Sequence, residues 1–372
     1  MREPEPAIRN DRLEAACALL RTMARVYGLG GDEQGFIEVC RVLMDSWASM
    51  PPGPPPWCGL SADATPYEVS AVFGGLRREI RILVEAQGDP PSPSSYWDAA
   101  MKLSETLEAR YGADLSSLRA VENLFQPLVP YTPGVIYLGA VFRENEPPWF
   151  KAYLHLMCAG KTAVRHTAYH ALGRLGCADV WPDLESRLLP GDELLFLSLD
   201  LVQPRQCRRK LYIRHKDLTA ASLAHASLFP HADHTESVRQ FVDDLQSGGE
   251  RLNWRGALTC LHLEPGRDAP VHAATQVRLY PDCARSDAEL LARLKRAMRR
   301  LGIPTDKYEA MVAALASRPL EHEQGIHSWA SIQWDDRSPV VTVYFSPRLY
   351  FDQYGPISLN PERMWPSPVS GS

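Results

Sequence analysis

Three short runs place a cation two residues before a tyrosine. They are "KAYLHL" (151–156) with Lys151 and Tyr153, "RRKLYIRH" (208–215) with Lys210 and Tyr212, and "QVRLYP" (276–281) with Arg278 and Tyr280. Each run has the apolar content of a strand. Strand side chains alternate between faces, so residues i and i+2 share one. Each pair therefore turns a positive charge and an aromatic ring the same way. On a solvated face that is ordinary. Turned into an enclosed space, the charges suit an anion and the ring faces suit a cation.

The elements that must position these pairs recur in a fixed order. Residues 10–27 and 32–48 have helical periodicity, and "YEVSAVFG" (67–74) and "EIRILVEA" (79–86) read as strands joined by a tight turn. Helices at 94–111 and 115–125 precede strands at 134–143 and 149–157. Helices at 161–175 and 178–187 precede strands at 194–201 and 208–215. Helices at 217–227 and 234–246 precede strands at 257–264 and 275–281. Helices at 286–301 and 306–317 precede strands at 327–335 and 339–347, and a proline-containing tail runs over 352–372. The stretches 10–86, 94–157, 161–215, 217–281 and 286–347 are thus αα-ββ units of about 60–70 residues, a repeat architecture.

Strands adjacent in sequence imply an antiparallel sheet. The expected fold is α+β: one domain over 1–372, a ten-stranded antiparallel barrel with the helices outside. Closure removes the edge strands, and a ten-stranded barrel is wider than an eight-stranded one, with room for a ligand beside core side chains. The order excludes the (β/α)8 barrel, where strand and helix alternate singly. "MPPGPPPWCGL" (50–60) reads as a loop. "GLGGDEQG" (28–35) follows a helix instead of a strand, so it reads as a helix stop and restart and not as a phosphate loop.

The repeats put the second strands in phase. Arg81, Lys151, Lys210, Arg278 and Thr342 occupy one position, and Leu83, Tyr153, Tyr212, Tyr280 and Tyr344 sit two residues later. Arg208 shares the face of Lys210. If that face points inward, the lumen holds at least five cations and a belt of four tyrosines. Buried cations need an anion. A diphosphate supplies that charge, and tyrosine faces shield the allyl cation left when it departs. On "TPYEVSAVF" (65–73) the face of Tyr67, Val69, Ala71 and Phe73 is the apolar one and suits packing on helices. Glu68 then points inward, placed to accept an indole N–H or to take a proton as general base.

Other features carry less. The net charge of −5 does not suit nucleic-acid binding. The eight cysteines are scattered without a CxxC pair, the first residues lack a signal-peptide core, and no apolar run spans a bilayer, so a reduced cytoplasmic protein is expected. His166 and His170 lack the Glu of HExxH, and "HADH" (231–234) reads as a loop before a helix. "DDLQS" (243–247) and "DDRSP" (335–339) are not the DDxxD that holds diphosphate through magnesium. Side-chain cations must then do what metal does elsewhere.

With these residues in view, the chain resembles the soluble aromatic prenyltransferases of the dimethylallyltryptophan synthase type, especially their bacterial indole-prenylating members. The resemblance covers about 10–350 and rests on the αα-ββ repeats, "TPYEVS", "EIRILVE", "KAYLHL", "RRKLYIRH", "VRLYP" and "VTVYFSP". It implies transfer of a dimethylallyl group from its diphosphate to the indole of L-tryptophan, without cofactor or magnesium. By motif, Arg81, Lys151, Arg208, Lys210 and Arg278 would bind diphosphate. Tyr153, Tyr212, Tyr280 and Tyr344 would shield the cation, and Glu68 would contact the indole nitrogen. His155 falls on the Lys151 face where members often carry a further tyrosine, and would contact the amino-acid end of the acceptor. Trp329 and Gln333 are lumen candidates on the last hairpin. The partners implied are small molecules. Two alternatives stand beside this: the same chemistry on tyrosine, a cyclic dipeptide or another phenol, and a non-catalytic barrel that binds a hydrophobic ligand.

Overall fold

The structure is a computed structural model. It describes residues 12–48 and 58–351, apart from 62, 76–77, 129–133, 217, 228–233, 247–251, 253–255, 281–282, 285 and 336. The proline-rich loop at 50–57, "HAD" at 231–233 and the tail at 352–372 lie outside the described residues.

Ten strands close into an antiparallel barrel: β1 (Tyr67–Gly74), β2 (Glu79–Val84), β3 (Ile136–Arg143), β4 (Trp149–His155), β5 (Glu193–Asp200), β6 (Arg209–His215), β7 (Ala257–Leu263), β8 (His272–Arg278), β9 (His327–Asp335) and β10 (Ser338–Phe345). Each strand pairs with its neighbours in sequence, and β1 closes on β10 with Ser70 opposite Tyr344. Helix pairs precede each hairpin: α1 (Arg12–Tyr27) and α2 (Glu33–Ala48), α3 (Pro93–Tyr111) and α4 (Ser116–Val121), α5 (Val164–Arg174) and α6 (Trp181–Arg187), α7 (Ala220–Ser227) and α8 (Thr235–Gln246), α9 (Asp287–Arg300) and α10 (Asp306–Leu315). The expected αα-ββ order is the observed one.

Local chemistry sets several boundaries. Ser92 caps α3 by accepting from the Ser95 N–H, Pro93 fits the first turn, and Gly112 ends the helix at φ +69°, a left-handed conformation natural to glycine. Gly28, at φ +82°, stops α1 where the Gly-rich run was expected to.

The barrel has two distinct cores. One lies between strands and helices. Tyr67, Val69, Ala71 and Phe73 of β1 face it, and the Phe73 ring stands 5.6 Å edge-on from Tyr27 of α1 and 5.6 Å from Tyr308 of α10. Burying one such ring stabilises by about 2 kcal/mol. A buried relay ties α9 and α10 to β9: Asp287 Oδ1 lies 2.6 Å from His327 Nδ1, and His327 Nε2 lies 2.8 Å from the Tyr308 hydroxyl. The second core is the lumen, where Leu195, Tyr212, Leu258, Cys260 and Ala274 cluster with Tyr153, Phe196 and Trp329. Period-2 alternation separates the two faces as the sequence implied, except at register shifts in β5, where Leu195 and Phe196 both join the lumen, and in β9, where Ser328 and Trp329 do.

All eight cysteines are buried and free. Among the described residues no helix is long and apolar enough to cross a membrane.

Candidate active site

Four of the five cations singled out in the sequence meet at one end of the lumen. Arg81 on β2, Arg208 just before β6 and Lys210 on β6 line a cavity of about 220 Å³. Lys151 on β4 stands among them, 3.7 Å from Asp200 on the neighbouring β5. Arg208 donates through Nε to the other Asp200 oxygen at 2.6 Å. Arg81 and Arg143 share Glu79, Arg143 at 2.7 Å. Sequence reasoning missed Glu79, Asp200 and Arg143. Glu79 could have been found two residues before Arg81, on its face. Asp200 could not, because only the β4–β5 pairing brings it to Lys151.

Five cations face two buried carboxylates here, so positive charge is in excess. Burial would raise the pKa of both acids, yet Arg81, Lys151 and Arg143 hold Glu79 well below its usual range, and Lys151 and Arg208 lower Asp200. Burial, with repulsion from Arg208, Arg81 and Lys210, outweighs Asp200 at Lys151 and brings it down to about 7. Burial also lowers Lys210. An arriving polyanion would relieve all of these repulsions.

Two residues deeper along the strands, about 7 Å at strand rise, come the tyrosines. The Tyr153 and Tyr212 rings are 5.9 Å apart. Tyr344, opposite Ser70 on β1, accepts a hydrogen bond from Gln276 Nε2 at 3.0 Å. Burial raises all three phenols, so they remain neutral rings.

Beyond the tyrosines lies Glu68. It is 6% exposed, accepts a hydrogen bond from the Ser328 hydroxyl, and is pushed up to about 8 by burial, against the smaller opposing effect of that bond. The His155 ring packs edge-on against Phe196 at 4.7 Å, and Phe196 lies 5.4 Å from Tyr137. His155 Nδ1 accepts the Met157 N–H at 3.1 Å, leaving Nε2 as donor, and burial pushes its pKa down to about 3, so the ring is neutral. Trp329 joins the lumen cluster at this depth, whereas Gln333, four residues along β9, lines the cation cavity.

Two expected members are placed elsewhere. Arg278 faces inward but sits six residues along β8 from His272, which opposes His262 and, through it, Lys210. At strand rise that is roughly 20 Å along the strand. Arg278 instead stands near Arg214, an inward residue of β6 that sequence reasoning passed over and that pairs with Glu193 at 3.4 Å. Tyr280 is not in the lumen. β8 ends at Arg278, and the Tyr280 ring packs in the outer core, 5.7 Å from Phe351, with its hydroxyl 3.4 Å from Gln324. The expected strand at 275–281 is shifted because β8 starts at His272, opposite His262. Among the described residues no three His, Cys, Asp or Glu side chains are grouped to hold a metal ion.

No family model matches the chain. Solved structures do. 6-Dimethylallyltryptophan synthase from Micromonospora olivasterospora, in complex with DMASPP and Trp, is 26% identical with a TM-score of 0.85, over 92% of this chain and 99% of that one. 5-Dimethylallyl tryptophan synthase from Streptomyces coelicolor, in complex with DMASPP and Trp, is 27% identical with a TM-score of 0.84, over 94% and 98%. PriB, as a binary complex with product diphosphate, is 27% identical with a TM-score of 0.82, over 91% and 96%. By fold, coverage and identity together, the chain is similar to the bacterial soluble aromatic prenyltransferases of the dimethylallyltryptophan synthase type.

Proposed function

We propose that this chain transfers a dimethylallyl group from dimethylallyl diphosphate to the indole ring of L-tryptophan, without a metal ion. One observation carries the reading: a single lumen presents, in order of depth, a cation cluster, a layer of tyrosines and a buried carboxyl. Among the solved structures it is similar to are ones in complex with DMASPP and Trp, or with product diphosphate.

The chemistry follows the layers. The C1–O bond of the donor breaks and both electrons leave with the diphosphate. Arg81, Lys151, Arg208 and Lys210 meet that charge in place of magnesium. The faces of Tyr153, Tyr212 and Tyr344 shelter the allyl cation and keep water from capturing it. An indole electron pair then bonds to the cation, and the ring sheds a proton. Glu68 receives the indole N–H. The carboxylate form of a group held near 8 is a stronger base than an exposed glutamate, so for attack from N1 the deprotonated fraction of Glu68 takes the proton itself. For attack from carbon it orients the ring, and the ring proton passes to the released diphosphate or to solvent.

The test is to mix the purified chain with dimethylallyl diphosphate and L-tryptophan in EDTA and look by mass spectrometry for tryptophan plus one C5 unit. That product is the expected result. Product only with another aromatic acceptor would replace the acceptor. No product with any acceptor would discard the reaction.

A further inference from the structure

The β7–β8 hairpin brings two histidines into the cation cavity. His262 and His272 oppose each other in the ladder, their ring centroids are 5.8 Å apart, and the planes lie within 22° of parallel. Both line the cavity that Arg81, Arg143, Arg208 and Lys210 line, and His262 opposes Lys210 across the β6–β7 ladder. The hairpin therefore gives the cavity an imidazole wall beside its guanidinium and ammonium groups.

Imidazole is the side chain whose charge most readily answers a neighbour near neutral pH. The groups around the pair are Lys210 and Arg208 at β6, Asp200 on β5 and Cys260 on β7 itself. Across the cavity stand Asp335 of β9, Glu79 and Arg81 of β2, and Arg143 of β3. Lys151 of β4 stands with Asp200. Burial, with repulsion from Lys210 and Arg208, pushes His262 down to about 3, so without an anion it adds no charge to a crowded wall. A phosphoryl anion reverses that field. It offsets the cations and sets negative oxygens beside ring nitrogens, and both changes favour the imidazolium.

We propose that His262 and His272 form a proton-accepting wall of the anion site: a diphosphate entering the cavity draws a proton from solvent onto the pair, and the charged pair helps hold it until it leaves. The inference rests on the reading that this cavity takes a diphosphate. A ring nitrogen lone pair gains a proton as the anion arrives and returns it to solvent as the anion departs.

The experiment is calorimetry of inorganic pyrophosphate binding to the full chain near neutral pH. Two buffers of different ionisation enthalpy give the protons taken up per anion. Wild type is compared with His262→Asn and His272→Asn. Lys151 is present in all three, so the difference reads what the histidines add. Wild type should take up on the order of half to one proton more than the variants. Its affinity advantage over His262→Asn should grow on acidification, by at most about tenfold per pH unit for one proton. Equal uptake with pyrophosphate still bound overturns the proposal and leaves the donor-site reading standing. No pyrophosphate binding by wild type overturns both. If one variant fails to fold, the other carries the comparison.

Discussion

At the cavity end of the lumen Glu79 and Asp200 are ringed by cations, while at the far end Glu68 accepts from the Ser328 hydroxyl. All three carboxyls are buried to a similar degree. Two are held below their ordinary range and one is pushed up to about 8. The difference teaches that burial alone sets no direction. It amplifies whatever charge is near, and where little charge is near it favours the neutral form. One barrel thereby holds an anion site and a base at different depths.

Removing a cation should break the comparison most. Lys210→Ala should lower turnover with dimethylallyl diphosphate by about 100-fold or more, since a buried charge-assisted contact is lost. Circular dichroism should show the fold retained. A rate within about threefold of wild type would move the anion site away from this end.

Glu68→Gln sharpens the other end. Turnover should fall by about 10- to 100-fold with the fold intact. Stability adds an independent reading. An unfolded glutamate titrates near 4.3, the folded Glu68 near 8. Between these values the native state holds a proton that the unfolded state has lost, so wild-type stability should fall as pH rises through the window. Glu68→Gln lacks that proton linkage. It should therefore gain on wild type by about 5 kcal/mol across the window, read from urea midpoints. Parallel pH profiles would show that Glu68 is not held protonated.

The smallest effect should come from Tyr280→Phe. Its ring lies in the outer core, so turnover should stay within about twofold of wild type, whereas Tyr212→Ala should lower it about tenfold or more. A large loss at Tyr280 would contradict the placement of β8.

Much of this was legible because a period of two and a period of four elements are both written in the chain. The alternation in "YEVSAVF" separates Glu68 from Val69 and Ala71, and the repeat puts Lys151 and Lys210 in phase. Height along the barrel was not legible. Strands in a closed barrel tilt, so a ladder row climbs as it circles. Arg278 shares its row with Trp329, Tyr344, Ser70 and Arg81, yet lies near Arg214 and not with the cavity cations. Equal phase in the repeat therefore did not mean equal depth. Nor did the repeat show that the loop after Leu263 is short enough to start β8 at His272, which is what carries Tyr280 past the barrel rim.

The seam between β1 and β10 has a consequence for how the chain is made. The strands that close the ring are the first and last of the sheet. While the chain emerges from a ribosome, β1 has no partner on that side until β10 is synthesised. Contacts so distant in sequence form slowly, and an open sheet meanwhile shows unpaired edges on which other chains can dock. A product that stops before His327 would be an open sheet with two exposed edges instead of a smaller barrel. Yield in the cell should accordingly depend on how quickly the last hairpin finds the first strand.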